Sequence, residues 1–117
     1  MSVPTREPYL QISLTDEVDA LQHSPEWATG RSAKTLVKYD DFRIVLTALA
    51  AGTRIGEHKT EGRISIQGVS GLLRLHVDGQ TFDLAPGVML ALDRGVRHEV
   101  EAVGQDSAFL LTIAWPR

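Results

Sequence analysis

Hydrophobic residues fall into short runs along this chain, and Gly, Asp and Pro separate the runs at close intervals. From Ala33 onward this rhythm predicts at least seven strands, over 35–39, 42–50, 63–69, 72–77, 81–84, 88–92, 97–103 and 108–115. Residues 52–62 are polar enough to be a loop with a short strand inside it. Asp78-Gly79 joins two of the runs, and an Asp-Gly pair favours the positive φ angles of a tight hairpin. No alternation of strand-length and helix-length patterns is present, which argues against a parallel α/β sheet. The first third has another character. Leu10, Ile12 and Leu14 alternate with polar neighbours, as in a half-buried strand, and Thr15 offers a helix N-cap ahead of Asp16 and Glu17. A short helix to Gln22 is expected, then an irregular connection over 23–32, with Trp27 packing on the β domain.

A set of antiparallel strands must dispose of its edges. A double-sheet jelly-roll barrel does so at this size, and an immunoglobulin-like sandwich is the competing topology. The sandwich lacks its expected Cys and strand-centred Trp pattern here. A length of 117 residues suits one domain, read as an N-terminal extension over 1–32 and a barrel over 33–117. No run approaches the roughly 20 apolar residues of a membrane span, and residues 1–10 lack the pattern of a secretion signal, so a cytoplasmic protein is expected.

Charge and cysteine content narrow the chemistry. The net charge is −3, and residues 1–30 hold five acids against the single base Arg6, so no basic face forms and a nucleic-acid partner is not expected. The absence of cysteine removes disulfides, thiolate metal sites and cysteine nucleophiles together.

Two patterns of glycine and histidine carry a resemblance to a known family. The first reads Gly52, His58, Thr60, Ile64 and Gly71; the second reads Gly87, Asp93, Gly95, His98 and Ala102. Their spacing resembles the two motifs of the cupin superfamily, over residues 35–114, with both glycines and the first histidine of motif one in place. In motif two, Gly87, Gly95 and His98 match. The resemblance implies an all-β jelly-roll barrel of the small, single-domain kind, with His58 and His98 pointing into its pocket. It also implies a divalent metal (zinc, iron, manganese or nickel) held by two histidines and a glutamate of motif one and the histidine of motif two.

This chain keeps only part of that set. Thr60 and Ile64 stand where the second histidine and the glutamate would be, and one shift of alignment puts Ser65 there instead. Two imidazoles alone fall short of the three or four protein ligands of zinc sites, and the iron facial triad wants a carboxylate. Glu57 and Glu61 are near in sequence, but alternation sets Glu57 opposite to His58. Gln67 is the candidate third ligand, if 63, 65 and 67 face inward rather than 64 and 66. The expected pocket is His58, Thr60, Ile64, Ile66, Gln67, His98 and Val100. His23 and His76 are read as structural, Glu99 and Glu101 as a solvated face, and Phe42, Phe82, Phe109 and Trp115 as core. Arg63, Lys59 and Arg97 are candidates to line the mouth and attract an anion.

Three functions follow from these residues. The preferred one is a pocket that holds a small organic molecule between aliphatic walls and the two histidines. The alternative is a metal-dependent enzyme, dioxygenase or isomerase, with His58 and His98 as ligands. The third is metal-free catalysis with His98 as general base. A homodimer is expected, with the 10–14 strand adding to a partner's sheet edge.

Overall fold

In the computed structural model, which describes residues 8–116, the β-rich runs form nine strands among the described residues. They are β1 (Arg31–Lys38), β2 (Phe42–Leu49), β3 (Arg54–His58), β4 (Arg63–Ser70), β5 (Leu73–Val77), β6 (Gln80–Leu84), β7 (Met89–Leu92), β8 (His98–Ala102) and β9 (Ser107–Ala114). The parts of the expected extension and barrel at residues 1–7 and at Arg117 lie outside the described residues.

Two sheets result, ordered β1-β2-β9-β4-β7 and β3-β8-β5-β6. Every pairing is antiparallel, and strands far apart in sequence, such as β2 with β9 and β3 with β8, lie side by side. This is the jelly-roll barrel the sequence predicts, and the sandwich alternative is set aside.

Alternation places the core. Ile64 and Ile66 of β4, Leu73, Leu75 and Val77 of β5, and Val100 and Ala102 of β8 meet in one interior cluster with Leu49, Phe109 and Ile113. Their polar neighbours therefore point outward. Hydrocarbon burial of this kind is the main drive for closing the two sheets on each other. The strand β2 is apolar on both faces, because its outer side also needs cover. Leu46 and Ala48 there form a second cluster with Ala108, Leu36 and Leu21 of a helix, α1 (Leu14–Gln22).

The N-terminal segment departs from expectation. Residues 8–13 form no strand, and the helix begins at Leu14, capped by Ser13, whose Oγ accepts the Asp16 N–H at 3.3 Å, rather than by Thr15. Of the three alternating apolar residues only Leu14 enters the helix, which runs to Gln22 as expected. Leu14, Val18 and Leu21, at i, i+4 and i+7, are the set that packs on the sheet with Trp27. No strand exists over 10–14 to extend a partner's edge. The connection that follows holds a single 3₁₀ turn, Pro25–Thr29, and β1 starts at Arg31. No helix among the described residues is long and apolar enough to cross a membrane.

The Asp78-Gly79 hairpin appears as predicted, with Val77 paired to Gln80 and φ of 53° and 78° at the two turn residues. It marks one end of the barrel. Strands β1, β3, β5, β7 and β9 finish at that end and β2, β4, β6 and β8 start there, so the connections 59–62, 78–79 and 93–97 surround a common mouth. The Gly95 N–H donates to the Thr60 carbonyl at 2.9 Å, tying two of these connections together.

Candidate functional site

His58 is the last residue of β3 and His98 the first of β8, and the two are partners across the strand pair, after a register shift beyond Ile55. Their rings stack with centroids 5.7 Å apart and planes 28° from parallel. The pair is asymmetric in its surroundings. His98 is 6% exposed, whereas His58 is open to solvent. The Nδ1 atom of His98 lies 3.2 Å from the Val96 carbonyl, which can only accept, so Nδ1 carries the proton and Nε2 of the neutral ring keeps its lone pair. Burial pushes the His98 pKa below its ordinary value of 6.5; the bond to the Val96 carbonyl opposes this, and the neighbouring His58 adds to it. A neutral imidazole thus stands at the mouth at neutral pH, and beneath it are Ile64, Ile66, Val77 and Val100.

Of the other expected pocket residues, Ile64, Ile66 and Val100 do line the interior. Thr60 sits in the 59–62 connection, and its hydroxyl donates to the Gly62 carbonyl at 2.8 Å. Gln67 does not belong to the pocket. Ile64 and Ile66, at 5% and 1% exposure, occupy the inward positions of β4, and Gln67 pairs with Met89 and Leu110 on the outside of the larger sheet. It is no third ligand to His58 and His98, because alternation turns its side chain away from them. Ser65 shares that outer face. Glu57 bonds Arg97 at 2.9 Å and Glu61 is exposed. Among the described residues no group of three or more His, Asp or Glu is arranged to hold a metal ion. The donor set at the mouth is two imidazoles, which does not fit the three-or-more-ligand sites of the divalent metals considered.

The outer face of the smaller sheet has its own network. His76 Nε2 and Glu101 Oε1 are 2.7 Å apart, and Arg54 donates to the same carboxylate at 3.2 Å. The bond to His76, with Arg54 assisting, holds the Glu101 carboxyl below its usual range. His76 is thus outside the pocket, as expected, while Glu101 is more than a solvated charge. The basic residues expected at the mouth are already paired with acids: Arg63 with Asp93 at 3.1 Å and Arg97 with Glu57. Lys59 is exposed. An open groove of about 630 Å³ runs along this outer side between Glu57, His76, Asp78, Arg97 and Glu99.

One polar residue at the mouth went unmarked in the sequence. Arg43 of β2 has its guanidinium carbon 5.0 Å from the centre of the Trp115 ring. Its Nε is buried without a hydrogen-bond partner among the described residues. The available signal was parity: Arg43 shares a strand face with Val45, Thr47 and Leu49. Because Ile44, Leu46 and Ala48 on the other face are equally apolar, the sequence pattern alone does not show which face lies inside.

Comparison with known proteins agrees with this geometry. The family model described as a cupin domain matches residues 45–114. A conserved protein of unknown function from Streptococcus pyogenes is similar over 100% of this chain and 97% of its own, at 27% identity and a TM-score of 0.76. A cupin superfamily protein from Desulfitobacterium hafniense is similar at 21% identity and a TM-score of 0.69, covering 74% of this chain and 78% of its own. A cupin-2 domain containing protein from Shewanella frigidimarina reaches 18% identity and a TM-score of 0.69, over 91% of this chain and 94% of its own. The last two, at such low identity, show a common fold. No curated protein matches the chain.

Proposed function

The chain belongs to the cupin domain family, and from that premise we propose that it binds a small organic molecule at the barrel mouth, between the aliphatic interior and the His58–His98 pair. The observation that carries this reading is the state of His98. It is withdrawn from water, its Nδ1 proton is committed to the Val96 carbonyl, and its Nε2 presents one acceptor above a hydrocarbon wall. An apolar lining with a few placed polar groups is the usual chemistry of small-molecule sites. A hydroxyl or N–H group of a ligand would meet Nε2, while the ligand's carbon skeleton would rest on Ile64, Val77 and Val100.

Two measurements test it. Metal analysis of protein purified without chelator is expected to find no stoichiometric transition metal. A bound metal lost in the His58→Ala, His98→Ala double variant would replace this reading with that of a metal-dependent enzyme. Ring resonances of His98, followed during addition of a panel of neutral and charged metabolite-sized compounds, are expected to move for at least one class. A panel that leaves them all unmoved would overturn the proposal.

A further inference from the structure

Resting on the reading of the mouth as a small-molecule site, we infer that its ligand is a carboxylic acid and that Arg43 receives the carboxylate. The position of Arg43 follows from register. Leu49 lies in the interior cluster and Leu46 and Ala48 in the outer one, so Arg43, two turns of the pleat from Thr47, points to the interior side. Across the larger sheet Arg43 pairs with Ile113, Ile113 with Ile64, and Ile64 with Leu92. That row is the last inward rung before the mouth. In the smaller sheet the corresponding rung is His58, His98 and Val77. The connection 59–62 runs from His58 to the start of β4 and 93–97 from Leu92 to His98, so the two rungs close the same end of the barrel. One guanidinium and two imidazoles therefore share a rim that is otherwise Ile, Leu, Val and Trp.

Burial and pairing together separate Arg43 from four other arginines of the barrel. Arg54, Arg63, Arg74 and Arg97 each meet a carboxylate on the outside of the barrel, respectively Glu101, Asp93, Asp83 and Glu57. Arg43 meets none among the described residues, and its Nε–H is shielded from water without an acceptor. An arginine kept for stability alone is poorly served by such a place, because a buried, unmatched donor is unfavourable. A ligand carboxylate supplies what is missing, since its two oxygens match the guanidinium fork. Trp115 prepares the geometry. Its ring stacks on the guanidinium and is itself held by its backbone N–H, which donates to the Asp41 carbonyl at 3.0 Å. Two acids at the mouth are already engaged, Glu57 with Arg97 and Asp93 with Arg63. The ligand that fits is a small acid whose carboxylate lies on Arg43, whose apolar body spans Ile113 and Ile64, and whose far end donates a hydrogen bond to His98.

The test pairs each probe with its uncharged twin. Linear, branched and aromatic acids of about four to eight carbons, and the primary amide of each, are added to the full chain while Arg43 Nε and His98 ring resonances are followed. The expected result is that at least one acid binds about tenfold more tightly than its own amide, moving both sets of resonances. Arg43→Gln should reduce that acid to the level of its amide, and Arg43→Lys should restore part of the difference. Acid and amide binding equally, or a preference that survives Arg43→Gln, would overturn the role of Arg43. If only neutral compounds such as sugars or alcohols move His98, the inference fails and the small-molecule site stands. If nothing in either panel moves it, both fail. The comparison of acid with amide on the unmodified chain decides the matter even if Arg43→Gln does not fold.

Discussion

His58 and His98 are cross-strand partners whose rings stack at 5.7 Å, yet only His98 is withdrawn from solvent. His98 should therefore titrate below the ordinary value of an imidazole. Long-range proton–nitrogen spectra are expected to show His98 as the Nδ1–H tautomer with a pKa below 6.5. His58→Gln removes a neighbouring charge and should raise the His98 value slightly. A His98 pKa at or above 6.5 in the unmodified protein would contradict the burial argument.

The same shift predicts how stability depends on acidity. Above pH 6.5 His98 is neutral both folded and unfolded, and its contribution is fully present. As the pH falls below 6.5 the unfolded chain takes up a proton that the folded chain refuses, so stability declines until the lower folded value is passed. Glu101, also depressed, adds a second decline below its ordinary value of 4.5. Urea melts at stepped pH should show the first decline flattened in His98→Gln and retained in Glu101→Gln.

Two glycines of the motifs have different duties. Gly71 and Gly87 both have positive φ, 71° and 87°, but a Cβ on Gly71 would collide with Ser107 Oγ and the Asp106 carbonyl, while one on Gly87 would meet open space. Gly87→Ala should lower stability by roughly 1–2 kcal/mol, the strain of the left-handed region alone. Gly71→Ala adds a backbone clash and should cost roughly 3 kcal/mol or more. Equal losses in chemical denaturation would show that close approach is not what Gly71 provides.

Neighbouring residues of β4 should respond to truncation in opposite ways. Ile66 is 1% exposed inside the barrel, and Ile66→Ala should lose about 2–5 kcal/mol. Gln67 lies on the outer face, and Gln67→Ala should stay within about 0.5 kcal/mol and leave ligand binding unchanged. A Gln67→Ala variant with altered His98 resonances would reopen the question of the strand's inward face.

Local chemistry along the chain was enough for much of this architecture. Period-two alternation, glycine at the turns and the Asp78-Gly79 pair are short-range signals, and each specifies backbone conformation without help from distant residues. The order and spacing of His58 and His98 among those glycines then carried the resemblance to the cupin motifs, and with it the expectation of the barrel. Elsewhere the outcome depended on contacts between distant segments. Alternation separates Ile66 from Gln67, but the interior face is defined by the pairing of Ile66 with Leu111 and Leu90 and the closure of the other sheet over it. Arg43 was hidden for the same reason, since β2 is greasy on both sides until α1 covers one of them. The expected strand over 10–14 did not form, and Leu14 joined the helix because the outside of β2 rewards the 14, 18, 21 spacing, a preference set by the surface it packs on together with the segment's own capping residues.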